Sequence, residues 1–171
     1  MYTLEKAGKE DLPFCMELME MGRAFQAEQG FVQWTDGYPG QDIIAADIAA
    51  GTGFLVKAGG KTAGYLCIDP AGEPVYGKIR GKWNTAEPYA VIHRMALHRD
   101  YRGQGLGSTV FRLALEYCRT IGMRSIRVDT GAANRRMQHL LLKNGFVHCG
   151  TVFYPDGERL AYERPVPGTD I

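Results

Sequence analysis

The sequence predicts an α/β fold: a mixed, mostly antiparallel sheet with helices on both faces. Three observations predict it. Residues Tyr89 to Thr130 read as strand, helix, strand, a unit that demands two parallel strands joined by a right-handed crossover. Gly59-Gly60-Lys61 lies between two apolar runs, which signals an antiparallel hairpin. The chain has 171 residues, 45% of them hydrophobic and 23% charged, which suits one domain with a substantial core.

In chain order, Tyr2 to Ala7 reads as a strand. Asp11 to Gln29 is helical, because Leu12, Cys15, Met16 and Met19 recur at three- and four-residue steps and Gly30 supplies a stop. Trp34, Gly37, Tyr38, Pro39 and Gly40 mark a turn-rich loop, and Gln41 to Ala50 is a short second helix. The hairpin strands are Gly53 to Ala58 and Thr62 to Asp69. Pro70 to Pro88 reads as irregular, and connections of that length are often functional. Tyr89 to His98 is a strand. Gly105 to Ile121 is a helix whose apolar face holds Leu106, Val110, Leu113, Ala114, Tyr117, Cys118 and Ile121. Ser125 to Thr130 is a strand and Asn134 to Asn144 a helix stopped by Gly145. Phe146 to Phe153 and Arg159 to Arg164 are closing strands. Pro165 to Ile171 reads as a frayed end, so one domain is expected over 1–166 with a tail over 167–171.

Charge and cysteine usage narrow the function classes. Twenty basic against nineteen acidic residues give a net charge of +1, so no global field points to nucleic acid or an anionic membrane as partner. Cys15, Cys67, Cys118 and Cys149 are widely spaced, with no C-x-x-C pair and no zinc-ligand spacing. That argues against a bound metal and for a reducing, cytoplasmic setting. The first residues lack the apolar run of a signal peptide, and no stretch is long and apolar enough to span a bilayer.

The most informative stretch runs from Val91 to Ser108. A strand enters a glycine-rich turn that leads straight into an amphipathic helix, so several backbone N–H groups and the positive end of the helix dipole face one place. Such a turn suits a pyrophosphate. No lysine precedes Ser108, which rules out a Walker A loop. The glycines Gly103, Gly105 and Gly107 do not give G-x-G-x-x-G, although Asp129 mimics the ribose-binding acid of dinucleotide folds.

Arg102-Gly103-Gln104-Gly105-Leu106-Gly107 resembles the [RQ]-x-x-G-x-[GA] signature of the GNAT acetyltransferases. Met95-Ala96-Leu97 resembles that family's pantetheine-pairing strand. Asn134, Met137, Leu140 and Lys143-Asn144-Gly145-Phe146 are similar to its second motif. The resemblance covers the whole order of elements and is sharpest from Val91 to Phe146. It implies a GNAT fold of six to seven strands with a splayed parallel pair and about four helices. It also implies acetyl-CoA as cosubstrate and a primary amine of a small molecule or peptide as acceptor.

Carried over residue by residue, the resemblance implies that Arg102 to Ser108 hold the pyrophosphate. Met95, Ala96 and Leu97 would bond the pantetheine, with one N–H polarising the thioester carbonyl. Asn134 would contact the pantetheine or cap its helix, and one role does not exclude the other. His93 is the candidate base, two residues before Met95, with a structural histidine as the alternative. The family's usual acid, a tyrosine seven residues after the asparagine, falls here on Leu141, so Cys149, Tyr154 or water must substitute. Trp34, Tyr38, Trp83 and Tyr89 are candidates for the acceptor pocket, or for anchoring their loops. Two rival readings remain: a non-catalytic acyl-CoA-binding regulatory module on the same fold, and a nucleotide-binding protein using the same turn. Relatives often pair as homodimers.

Overall fold

The computed structural model describes residues 1–35 and 37–168. Backbone contacts divide them into two compact units, Met1–Ile68 with His93–Leu113, and Asp69–Ile92 with the chain from Ala114 onward.

The first unit begins with β1 (Tyr2–Lys6), α1 (Leu12–Glu28), α2 (Gln41–Ala49), β2 (Gly53–Ala58) and β3 (Lys61–Asp69). It also takes the end of β5 (Tyr89–Leu97) and the start of α3 (Leu106–Thr120). β1 pairs antiparallel with β2 from Tyr2↔Ala58 to Lys6↔Phe54, and β2 pairs antiparallel with β3 across the predicted hairpin. The strand order here is β1-β2-β3-β5. Cys15, Leu18 and Met19 of α1 and Ile44 and Ile48 of α2 form one apolar cluster with Leu55, Tyr65 and Ala96 of the strands. Each fully buried aliphatic side chain of that kind contributes about 1.5–3 kcal/mol.

The second unit holds the start of β5, the end of α3, β6 (Ser125–Thr130), α4 (Arg135–Lys143), β7 (Val147–Tyr154) and β8 (Gly157–Pro165). The stretch read as irregular contains a 3-10 turn at Pro74–Lys78 and a two-residue strand, β4 (Arg80–Gly81), which pairs with β7. The strand order is β5-β6-β8-β7-β4. β5 and β6 form the parallel pair, β6 and β7 both flank β8 antiparallel, and β7 carries a bulge between His148 and Gly150.

The eight described strands exceed the predicted six to seven because β4 is too short to leave a periodic pattern. The frayed end read from Pro165 begins later than that reading had it. Pro165 closes β8, Val166 is 2% exposed, and its N–H donates to the Arg124 carbonyl at 2.8 Å. Residues 165 and 166 therefore belong to the folded chain, while the end of the expected tail, residues 169–171, lies outside the described residues.

The second motif has a plain backbone reason. α4 ends with Gly145 at φ 83, whose N–H bonds the Leu142 carbonyl at 3.2 Å, while the Phe146 N–H bonds the Leu141 carbonyl at 3.0 Å. This left-handed cap needs glycine, and the next residue folds back on the helix, which is why Phe146 is 1% exposed.

Candidate functional site

The turn between β5 and α3 lies in the first unit. β5 ends where the His98 N–H donates to the Ala63 carbonyl at 2.7 Å. A single 3-10 turn, Arg99–Tyr101, follows, capped by His98 Nδ1, which accepts from the Asp100 N–H at 3.1 Å. Gly103 and Gly105 then take left-handed conformations at φ 76 and φ 74. Leu106 is buried at 2% exposure and anchors the start of α3. Among the described residues none accepts a hydrogen bond from the backbone N–H of Gly103, Gln104, Gly105, Leu106 or Gly107. Gly103, Gln104 and Gly105 are exposed, and no atom lies within 4 Å of where a Cβ would stand on either glycine. Five successive backbone donors without an acceptor among the described residues, three of them on exposed residues, stand at the positive end of a helix dipole, an arrangement that fits a diphosphate.

The Arg102 side chain lies against α1. One guanidinium nitrogen donates to the Met21 carbonyl at 3.0 Å, and the group lies 3.8 Å from the ring centre of Phe25. Arg102 thus ties the turn to α1, and its own N–H donates to the Arg99 carbonyl at 3.4 Å. Ser108 is half-buried in the first turn of α3.

The strand before the turn carries His93, Met95 and Leu97, all half-buried, with Ala96 at 4% exposure. Between them Arg94 sits at φ 51, the one non-glycine residue with positive φ among those described. Its guanidinium grips Asp47 of α2 through Nε to Oδ2 and through a terminal nitrogen to Oδ1, each at 2.8 Å. The Tyr65 hydroxyl donates to the same Oδ2 at 2.8 Å. The parallel ladder of β5 with β6 covers Tyr89, Ala90 and Val91 against Ser125, Ile126 and Arg127 and goes no further.

Of the acceptor candidates in this unit, Trp34 packs against the apolar cluster and its N–H donates to Gln26 Oε1 at 2.9 Å. Tyr38 is exposed. Trp34 therefore anchors its loop.

In the second unit Asn134 caps α4, its Oδ1 accepting from the Met137 N–H at 3.1 Å. Leu141, where the family's tyrosine would stand, is fully buried. Tyr154 donates to Asp129 Oδ2 at 2.7 Å, and Tyr76 donates to the same oxygen at 2.7 Å. Burial and the neighbouring Asp129 carboxylate push the Tyr76 phenol well above its ordinary range. Cys149 is half-buried, its thiol donating to the Val147 carbonyl at 3.5 Å. Burial, with help from the Glu163 carboxylate, pushes that thiol up to about 11. A proton held that firmly passes to a thiolate less readily than one on an ordinary thiol.

Trp83 and Tyr89 already hold a cation of this chain. The Arg127 guanidinium stands 4.4 Å from the Trp83 ring centre and 3.9 Å from that of Tyr89. The Trp83 indole also donates to the Tyr76 carbonyl at 2.9 Å, and the Tyr89 hydroxyl accepts from the Glu73 N–H at 3.3 Å. Both aromatics thus brace the segment from Glu73 to Thr85. Sequence reasoning passed over Tyr76, Asp47 and Arg94, and it read Asp129 only as a mimic of a ribose-binding acid. The one available signal was Asp129 at the end of a strand otherwise buried.

A sequence model of the Acetyltransferase (GNAT) family matches residues 19–146. A GNAT-family acetyltransferase of Streptococcus agalactiae, known from its crystal structure, is 34% identical over 96% of this chain and 95% of its own, with a TM-score of 0.88. A Bacillus subtilis protein provisionally named a ribosomal protein bS18-alanine N-acetyltransferase is 34% identical over 83 residues, 48% of this chain and 53% of the relative. The chain thus matches about half the length of that curated relative. Aminoglycoside acetyltransferase AAC(6')-Ib, solved with coenzyme A, shares the fold at 21% identity and a TM-score of 0.68, over 96% of this chain and 95% of its own. The chain belongs to the GNAT acetyltransferase family.

Proposed function

We propose that the protein is an N-acetyltransferase that moves the acetyl group of acetyl-CoA to a primary amine of a small molecule or peptide. The observation that carries this reading is the run of five backbone N–H groups from Gly103 to Gly107, at the head of α3, that find no acceptor among the described residues. A fold shared with a coenzyme A complex of an aminoglycoside acetyltransferase supports the choice of cosubstrate. The names of relatives that act on a ribosomal-protein alanine and on aminoglycosides support an amine acceptor.

In this reading the turn holds the diphosphate and the backbone of Met95 to Leu97 holds the pantetheine. The neutral amine attacks the thioester carbonyl, the C–S bond breaks, and the sulfur leaves with a proton, giving an amide and free coenzyme A. His93 takes the ammonium proton, since an imidazole titrates near the working pH. Tyr154 is taken as the proton donor in place of Cys149, whose thiol burial holds protonated; its hydroxyl, which donates to Asp129 at 2.7 Å, must turn from that carboxylate to reach the sulfur.

One observation favours the second reading, a non-catalytic acyl-CoA sensor: Leu141 is fully buried where the family's acid would stand. Turnover decides between them. Purified protein with acetyl-CoA should release free coenzyme A when offered a panel containing alanine-terminated peptides, aminoglycosides and simple arylalkylamines. Tight acetyl-CoA binding with no release across the panel would favour the sensor.

A further inference from the structure

Asp47 is an acid in the wrong place for a soluble helix face. It lies on α2 beside Ile44 and Ile48 and is 7% exposed. A buried carboxylate is costly unless its charge and lone pairs are met. They are met here by one arginine fork and one phenol: Oδ1 accepts from Arg94, and Oδ2 accepts from Arg94 Nε and Tyr65, all at 2.8 Å.

Arg94 is equally out of place. At φ 51 it occupies backbone space that glycine takes without strain and that an L side chain resists. A left-handed residue inside β5 breaks the strand's alternation, and His93, Arg94 and Met95 are all half-buried in succession. Glycine would adopt this kink at lower cost but would not fix it, so the arginine is there for its side chain. That side chain reaches Asp47. The bidentate fork fixes direction as well as distance.

We propose that Asp47 is a positioning residue for the cofactor: through Arg94 it pins the left-handed kink of β5 and so aims the backbone of Met95 to Leu97 at the pantetheine arm. The proposal rests on the acetyl-CoA reading above. Asp47 touches no reacting atom in it. An apolar pair of the same volume would stabilise this spot at least as well, so what the ion pair adds is orientation.

The test is calorimetric titration of wild type, D47N and R94G with two probes, coenzyme A and adenosine 3′,5′-bisphosphate, which lacks the pantetheine. R94G removes the fork yet suits φ 51 and leaves Asp47 bonded to Tyr65, so it remains informative if D47N fails to fold. Each folded variant should bind coenzyme A at least tenfold more weakly and adenosine 3′,5′-bisphosphate within twofold of wild type. The double variant should be no weaker than either single one. Unchanged coenzyme A affinity, or a parallel loss for both probes, would overturn the proposal and leave the acetyl-CoA reading standing. A wild-type protein that binds no coenzyme A would overturn both.

Discussion

Arg127 donates from Nε to Oε2 of Glu163 at 2.9 Å, and both side chains are almost wholly buried. Glu163 also accepts from the Ser125 hydroxyl at 2.9 Å and from the N–H groups of Asn84 at 2.7 Å and Thr85 at 3.1 Å. One carboxylate therefore ties β6, β8 and the segment after β4 together. Removing it strands a buried guanidinium. Glu163→Ala should lower unfolding stability by about 3–5 kcal/mol, measured by urea denaturation. Glu163→Gln, which keeps the acceptor oxygen, should lose less.

Alkaline pH should unfold the protein. Burial pushes the thiols of Cys15 and Cys118 up to about 12, and it raises the Tyr65 and Tyr76 phenols as well. In the unfolded chain the thiols ionise near 9. Between those values the folded state binds more protons than the unfolded one, so stability falls as pH rises. The contribution is whole below pH 9 and shrinks above it, by up to about 1.4 kcal/mol per pH unit for Cys118. Melting curves from pH 8 to 11 check this, and Cys118→Ala should flatten the decline.

The shared acceptor at Asp129 separates two tyrosines by role. Tyr76 is fully buried, so Tyr76→Phe should cost about 1 kcal/mol of stability through its lost hydrogen bond. Tyr154 is half-buried. If it donates the proton, Tyr154→Phe should lower kcat by roughly 10²-fold or more with little change in coenzyme A affinity. Equal kcat in wild type and variant would return Tyr154 to a structural role.

Asn134→Ala should lower stability by about 1 kcal/mol, because the Met137 N–H loses its cap. Thermal melts with and without coenzyme A separate the two roles expected of this residue. A deficit of the same size in both conditions leaves Asn134 as a cap alone. A larger deficit with cofactor adds the pantetheine contact.

Much of this protein is legible in its sequence. Gly59-Gly60 and the apolar runs beside it give the β2–β3 hairpin, and Gly103, Gly105 and the stripe from Leu106 to Cys118 give the turn and its helix. These signals are local, set by turn chemistry and helical period. What escapes is long-range. Arg94 meets Asp47 across 47 positions, and Tyr76 meets Asp129 across 53, so no periodicity joins either pair. β4 has two residues and exists only because β7 runs beside it. Arg102 carries the family's motif residue, yet its side chain is taken by Met21 and Phe25 of α1, a contact no motif encodes.

The claim that the turn binds the diphosphate is tested most directly by following its own amides. In ¹H–¹⁵N spectra, addition of coenzyme A should move the resonances of Gly103, Gln104, Gly105, Leu106 and Gly107 to lower field as each N–H gains an acceptor. Resonances from these five residues that stay in place at saturating coenzyme A would contradict it.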